Sequence, residues 1–288
     1  MRRDGACALH GYPPRMLVPN ARARAAVSVR NCRSLRRTCA GIAACLLLLS
    51  CEATTFDWQG RSPSALHDYH AAYERDAGTR LDGSASWDDF VALAANRRAL
   101  YLGDHHRDER LHALHRDLLQ RLAKRGLRMR LMLEAIGIED QPHVDAFLAG
   151  RIGMEQLVAT CRARWQDSWL AGGDVDATHY RELLRLAKSL GIPASGLEPT
   201  PRLPLAQRDP RIAAQVRAEA LADDRALVVV VVGQSHVLGA GRLADRIGLP
   251  CTIVGASPTP SMRIDDARLR QDLVRTERSV WLFSELLR

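Results

Sequence analysis

The sequence predicts an α/β fold: a mainly parallel sheet with helices on both faces, forming a single domain with added helices behind an N-terminal lipoprotein signal peptide. Three observations predict it. Short apolar runs alternate with longer stretches whose apolar residues recur every three or four positions, the pattern of parallel strands joined by crossover helices. Two of those runs end alike: Ala99–Leu102 runs into Gly103-Asp104-His105-His106, and Ala226–Val232 into Gly233-Gln234-Ser235-His236, each followed by a helical pattern. The chain also opens with an arginine-rich segment and a short apolar run that stops at a cysteine.

That opening segment reads as a leader rather than as fold. Residues 1–51 hold nine arginines and a single acid, Asp4, and Ala40 to Leu49 is apolar apart from Gly41. A basic region followed by roughly 7–15 apolar residues is a secretory signal, too short to span a bilayer. Leu48-Leu49-Ser50-Cys51 has the form of a bacterial lipobox, in which Cys51 is acylated and becomes the mature N-terminus. The expected division is a signal peptide over 1–50, leading helices over 51–98 and an α/β domain over 99–288. Met16 is an alternative start.

Removing the leader changes the charge. The chain has 41 basic and 33 acidic residues; less the leader's nine and one, 32 of each remain. The net +8 therefore belongs to the leader, and nothing supports nucleic-acid binding by a basic surface. Of the seven cysteines only Cys161 and Cys251 lie beyond Cys51. They are either one disulfide of an oxidising compartment or two separate core thiols.

Taken in order, Ser62 to Ala77 and Ser86 to Arg98 read as helices, with Ser86 and Asp89 as a start signal. Ala99–Leu102 is a buried strand. Arg107–Arg125 is an amphipathic helix striped by Leu111, Leu114, Leu118 and Leu122 and stopped at Gly126. Met129–Leu133 is a strand that delivers Glu134 at its carboxyl end. Gln141–Ala149 and Met154–Trp165 are shorter helices, followed by a loop with Trp169 and Gly172-Gly173. Thr178–Leu190 is a helix, Ala194–Leu197 a strand ending at Glu198, and Pro199–Pro210, with four prolines, a rigid loop. Arg211–Leu221 is helical. Ala226–Val232 is the most apolar strand, Val237–Ile247 a helix, Cys251–Val254 a strand, and Val280–Phe283 a last strand.

Ligands of open α/β sheets bind outside the carboxyl ends of the strands. Parallel strands bring His106, Glu134 and His236 to one rim, with the two imidazoles within roughly 10 Å, the reach of a shared ion or ligand. Asp104 is either a rim carboxylate or the cap of the following helix. His115 shares the leucine stripe of its helix and reads as a core or rim histidine. His105 points away from His106 on extended backbone.

With these residues in view, the chain from Ala99 to Ile253 resembles the ChaN-like haem-binding lipoproteins of the Tiki, TraB and erythromycin-esterase superfamily. The matching places are Gly103, Asp104, His106 and His112, then Glu134, Tyr180 at the start of the helix after the tryptophan-bearing loop, and His236. Asp104 stands where the family pattern has glutamate, and Leu197-Glu198-Pro199 stands where an asparagine-containing turn is expected. The resemblance implies a haem site formed by His106, His112, Glu134, Tyr180 and His236, with arginines pairing to the propionates. It also implies a possible homodimer and a role in haem and iron uptake, possibly with an outer-membrane haem receptor. Lipidated Cys51 would place the protein in the cell envelope, at the outer membrane facing the periplasm. The alternative reading is a metal-dependent ester or peptide hydrolase. In it His106, Glu134 and His236 hold zinc or another divalent ion, and the catalytic candidates are Asp104, His106, Glu134 and His236.

Overall fold

The computed structural model describes residues 63–164, 168–172, 175–199, 203–256 and 271–287, all within the compact unit Glu52–Arg288. The leader, its apolar run and Cys51 lie outside the described residues, as do Trp165 and Gly173. No helix of the described residues is long and apolar enough to cross a membrane.

Eight strands make one sheet: β1 (Leu81–Ala85), β2 (Ala99–Asp104), β3 (Arg128–Gly137), β4 (Ala194–Glu198), β5 (Ala226–Gly233), β6 (Cys251–Val254), β7 (Leu273–Thr276) and β8 (Val280–Phe283). Their order is β1-β7-β8-β6-β2-β5-β3-β4. From β8 to β4 every pairing is parallel. β7 runs antiparallel to both β8 and β1, so the sheet is mainly parallel, as expected, with an antiparallel edge. β1 and β7 were not legible as strands. Leu-Asp-Gly-Ser-Ala has no alternation of apolar residues, and Leu-Val-Arg-Thr is too short to show one; their pairing partners make them strands.

The middle of the sheet explains itself. β5 lies between β2 and β3 and is buried along its whole length. Val229 and Val231 join the core on one face, and Val228, Val230 and Val232 the core on the other, as alternate strand residues must. An all-valine strand fits a position with both faces covered.

Nine helices can be numbered among the described residues: α1 (Pro63–Ala77), α2 (Trp87–Ala95), α3 (Glu109–Lys124), α4 (Gln141–Leu148), α5 (Met154–Arg164), α6 (Ala177–Leu190), α7 (Leu205–Ala222) and the short α8 (Gln234–Val237) and α9 (Leu243–Arg246). The Ser86 hydroxyl accepts from the Asp89 N–H at 3.2 Å and caps α2 as expected. Segment 63–98 contributes β1 to the edge of the same sheet that holds the 99–288 strands.

Two expectations fail around His236. α7 starts at Leu205, so the second half of the proline loop is helix, with Pro210 on the exposed side, where a missing hydrogen bond costs least. Its buried stripe runs Leu205, Arg208, Asp209, Ile212, Ala213, Val216, Ala220; the charged pair hid the apolar period. The expected helix Val237–Ile247 breaks into α8 and α9. Between them Gly239 has φ +60°, and a Cβ there would lie 2.6 Å from the Ala72 carbonyl carbon of α1. Only glycine fits so close an approach. Cys161 and Cys251 are both unpaired thiols, Cys161 buried and Cys251 partly so.

Candidate functional site

The rim forms where β2, β3 and β5 end together. Asp104, the last residue of β2, pairs in register with Gly233, the last of β5. Leu133 of β3 pairs with Val231, which brings Glu134 level with Val232. Gly233 is the meeting point. A Cβ built on it would lie 3.4 Å from Cδ2 of His236, 3.5 Å from Oε2 of Glu134 and 3.5 Å from Cε1 of His106. The two ring carbons are thus at most 3.4 plus 3.5 Å apart, so His106, Glu134 and His236 do converge.

On the β2 side, buried Asp104 organises three side chains. Its Oδ2 accepts from the Tyr180 hydroxyl at 2.5 Å and lies 2.9 Å from Nδ1 of His106. Its Oδ1 lies 2.9 Å from Nε2 of His112. Nδ1 of His112 reaches Oδ2 of Asp176, also at 2.9 Å. The other Asp176 oxygen accepts from the Thr178 N–H and caps α6. Burial alone would raise the Asp104 carboxyl, but hydrogen bonds from His106 and His112 hold it well below the usual carboxylate range. Burial likewise opposes charging His112, yet the bonds and charges of Asp104 and Asp176 outweigh it and raise its pKa. An imidazole donating from both nitrogens to two carboxylates is an imidazolium.

Two further histidines lie beneath. His179 stacks on His112 with centroids 3.8 Å apart and planes 2° from parallel. Burial pushes His179 down to about 2 and His115 down to about 4, so both are neutral. Among the described residues neither ring nitrogen of His115, nor Nε2 of His179, has a hydrogen-bond partner. Each such buried group costs about 1–3 kcal/mol.

His106 is different: a quarter of its side chain is exposed. Nδ1 faces Asp104 and the Tyr180 oxygen, the latter at 3.0 Å, and the ring lies against Trp169 with centroids 4.3 Å apart. With Nδ1 as donor, Nε2 carries the lone pair, and no hydrogen bond occupies it among the described residues.

On the β5 side, Arg208 is fully buried. Its Nη2 donates to Nε2 of His236 at 2.6 Å and lies 3.5 Å from Oε1 of Glu134; its Nη1 lies 3.4 Å from Oε2 of Glu198. Nδ1 of His236 donates to Oδ1 of Asp209 at 2.8 Å, and the Tyr69 hydroxyl donates to the other Asp209 oxygen. Burial, then the Arg208 charge, lowers the His236 pKa. Oε2 of Glu134 accepts the Gly233 N–H at 2.8 Å.

These contacts correct several expectations. His106, Glu134 and His236 do not form an open metal triad, because the Arg208 guanidinium fills the place and takes the His236 lone pair. His112 has both nitrogens engaged and is 1 % exposed, which leaves it no atom for a ligand. Tyr180 is a buried phenol donating to a carboxylate; burial and the Asp104 charge raise its pKa well above the ordinary value. That is the opposite of the cationic surroundings a phenolate ligand needs. Asp104 is not the helix cap either, since Asp108 caps α3. His105 is exposed.

Sequence reading missed Arg208, Asp209, Asp176 and His179 as site residues. The buried stripe of α7 was the one available signal for the first two. Apart from the rim residues, none of which lines it, α5 and α6 flank a cavity of about 630 Å³ with Met154, Val158 and Ala163 among its apolar walls, and Glu155, Arg162, Arg181 and Arg185 as its charges. Nε of Arg181 donates to the carbonyl of Leu170, next to Trp169.

Residues 90–206 match the family described as haem-binding uptake, Tiki superfamily, ChaN. No curated protein sequence matches the chain significantly. Among solved structures, the type III effector HopBA1 is similar at 17% identity and TM-score 0.47, over 72% of this chain and 96% of that one. A structure described as cofacial haem binding to ChaN of Campylobacter jejuni is similar at 11% identity and TM-score 0.48, over 75% and 94%. RRSP, a MARTX toxin effector domain from Vibrio vulnificus, matches at 17% identity and TM-score 0.44, over 81% and 46%.

Proposed function

From the match of residues 90–206 to the family described as haem-binding uptake, Tiki superfamily, ChaN, we propose that the protein binds haem at the rim of its sheet, where Nε2 of His106 would hold the iron. The observation that carries the reading is His106 itself. It combines partial exposure, an Nδ1 anchored on Asp104 and an unengaged Nε2. An axial histidine is oriented through its other nitrogen in this way.

The residues fit the group. Bound haem would supply an iron with an open coordination position and two propionates. Nε2 of His106 would hold the iron, Asp104 orients the ring through Nδ1, and Trp169 braces it from one side. Arg162, Arg181 and Arg185, on the two helices α5 and α6, are the candidate cations for the propionates. Tyr180 and His112 act through Asp104. Arg208, Glu134 and His236 form the supporting ion cluster, which argues against a hydrolase that uses those residues as metal ligands.

The reading extends to a lipid anchor at Cys51, an outer-membrane location facing the periplasm and a part in iron uptake. It includes a haem receptor as partner and a homodimer. The lipobox supports the anchor, and the family resemblance supports the rest.

The test is titration of the full chain with ferric haem. A Soret band should saturate at a fixed stoichiometry, and His106→Ala should abolish it while Tyr180→Phe keeps it. Loss of the band in Tyr180→Phe with retention in His106→Ala would overturn the assignment.

A further inference from the structure

The two histidines beneath the rim are used by none of the chemistry above. Asp104, His115 and His179 each present a ligand atom, and the three atoms lie within 4.8 Å of one another. We propose that these three residues form a second, buried site for a divalent transition-metal ion of the zinc type, which ties the end of β2 to α3 and α6.

Two independent observations carry this. The first is the donor set. Two imidazoles and a carboxylate on three different elements are the ligands of a tetrahedral zinc site with water in the fourth position. Bonds of about 2.0–2.2 Å place such ligand atoms somewhat closer than they now stand, within reach of small side-chain rotations. The second is the state of those ligands. His115 and His179 are both 0% exposed, and three of their four nitrogens have no hydrogen-bond partner. Two buried imidazoles with three open nitrogens beside a carboxylate are an unfilled electrostatic demand that a cation meets.

Two cations adjoin the site, the His112 imidazolium stacked on His179 and the Arg116 guanidinium, and neither occupies any of the three open nitrogens. Of the four lone-pair positions on Asp104, His106, His112 and the Tyr180 hydroxyl take three. The competing contact at His179 is Arg116 to Nδ1 at 3.5 Å, which is long, and Arg116 is only half-buried and can turn outward. Apart from Asp104, the ion needs no residue of the rim. Arg208 and His236 contribute nothing to it, and Nε2 of His106 remains outside it.

The test uses the full chain, stripped with chelator and titrated with Co²⁺ in the absence of haem. One equivalent should bind with the ligand-field bands of four-coordinate cobalt, zinc should displace it, and zinc should raise the melting temperature. His115→Gln and His179→Gln should each weaken cobalt binding about 100-fold or more, while His67→Ala, at an exposed histidine outside the cluster, binds as the wild type does. If both glutamine variants fail to fold, the paramagnetically shifted imidazole signals of the cobalt-loaded wild type count its histidine ligands. Two support the site; any other number overturns it. No cobalt spectrum, unchanged binding in both folded variants, or loss in His67→Ala would each overturn the proposal. Because haem is absent, these outcomes are independent of the haem reading.

Discussion

The Tyr180 hydroxyl and Oδ2 of Asp104 are 2.5 Å apart, and the same oxygen faces Nδ1 of His106 at 2.9 Å. The phenol therefore serves the carboxylate, and the carboxylate serves the imidazole. Tyr180→Phe should cost about 1 kcal/mol of stability, the worth of one hydrogen bond, and change haem affinity by no more than a few-fold. Chemical denaturation and Soret titration measure the two effects; a loss of the Soret band would return Tyr180 to the iron.

Asp104→Asn keeps the shape of the anchor and removes its charge. The amide can still accept from His106, but it no longer balances His112 or favours one tautomer of His106. Haem affinity should fall about 10–100-fold, the usual cost of losing an orienting partner. A variant with wild-type affinity would show that His106 does not depend on Asp104.

Arg208 is the cation of a buried cluster, facing Glu134 and Glu198. Arg208→Met should cost about 3–5 kcal/mol, because it leaves buried carboxylates without their counter-charge. Adding Glu134→Gln to Arg208→Met should recover part of that loss. The midpoint of urea unfolding reads both variants, and no recovery would mean that the two residues are not energetically paired.

The histidines set the acid response of the metal-free protein. His115 and His179 have folded pKa values of about 4 and about 2, below the ordinary 6.5. Under pH 6.5 the unfolded chain takes up protons that these folded residues refuse, so stability falls as pH drops. His115 alone accounts for on the order of 3 kcal/mol by pH 4. His112, raised by Asp104 and Asp176, works the other way: its contribution is full below pH 6.5 and is lost as pH rises through its folded value. Asp104 and Asp176, both lowered, add stability above their ordinary range and lose it toward acid. Melting temperature should decline from pH 6.5 to 4, and His115→Leu should flatten that decline. An unchanged slope in His115→Leu would contradict the assignment.

At the other end of the chain, Cys51→Ala should move the protein from the membrane fraction to the aqueous phase of a detergent partition. Persistence in the detergent phase would end the lipoprotein reading.

How much of this could be read from the sequence depends on what carried the signal. The parallel strands were legible because apolar runs buried on both faces admit no polar residue, as Val228 to Val232 show. The convergence of His106, Glu134 and His236 followed from strand direction alone. Arg208 and Asp209 were hidden because they occupy core positions of α7, where their charges erase the apolar period that would have revealed the helix. The roles of His112 and Tyr180 were illegible for another reason. Whether a ring nitrogen or a phenol is available to a ligand depends on which carboxylate it meets, and Asp176 is 64 residues from His112.

The position of β5 has a consequence for how the chain acquires this fold. β2 and β3 are sheet neighbours of β5 but not of each other, and β5 follows β3 by nearly 90 residues. During synthesis the first two strands have a gap between them that only a late segment can close. Closing so long a loop before any pairing reward arrives makes the folding transition slow. Until then a five-valine segment without a single charge is open to pairing with other chains. The central strand is thus both the keystone of the sheet and its main aggregation hazard, and yield in refolding should depend on protein concentration more steeply than on final stability.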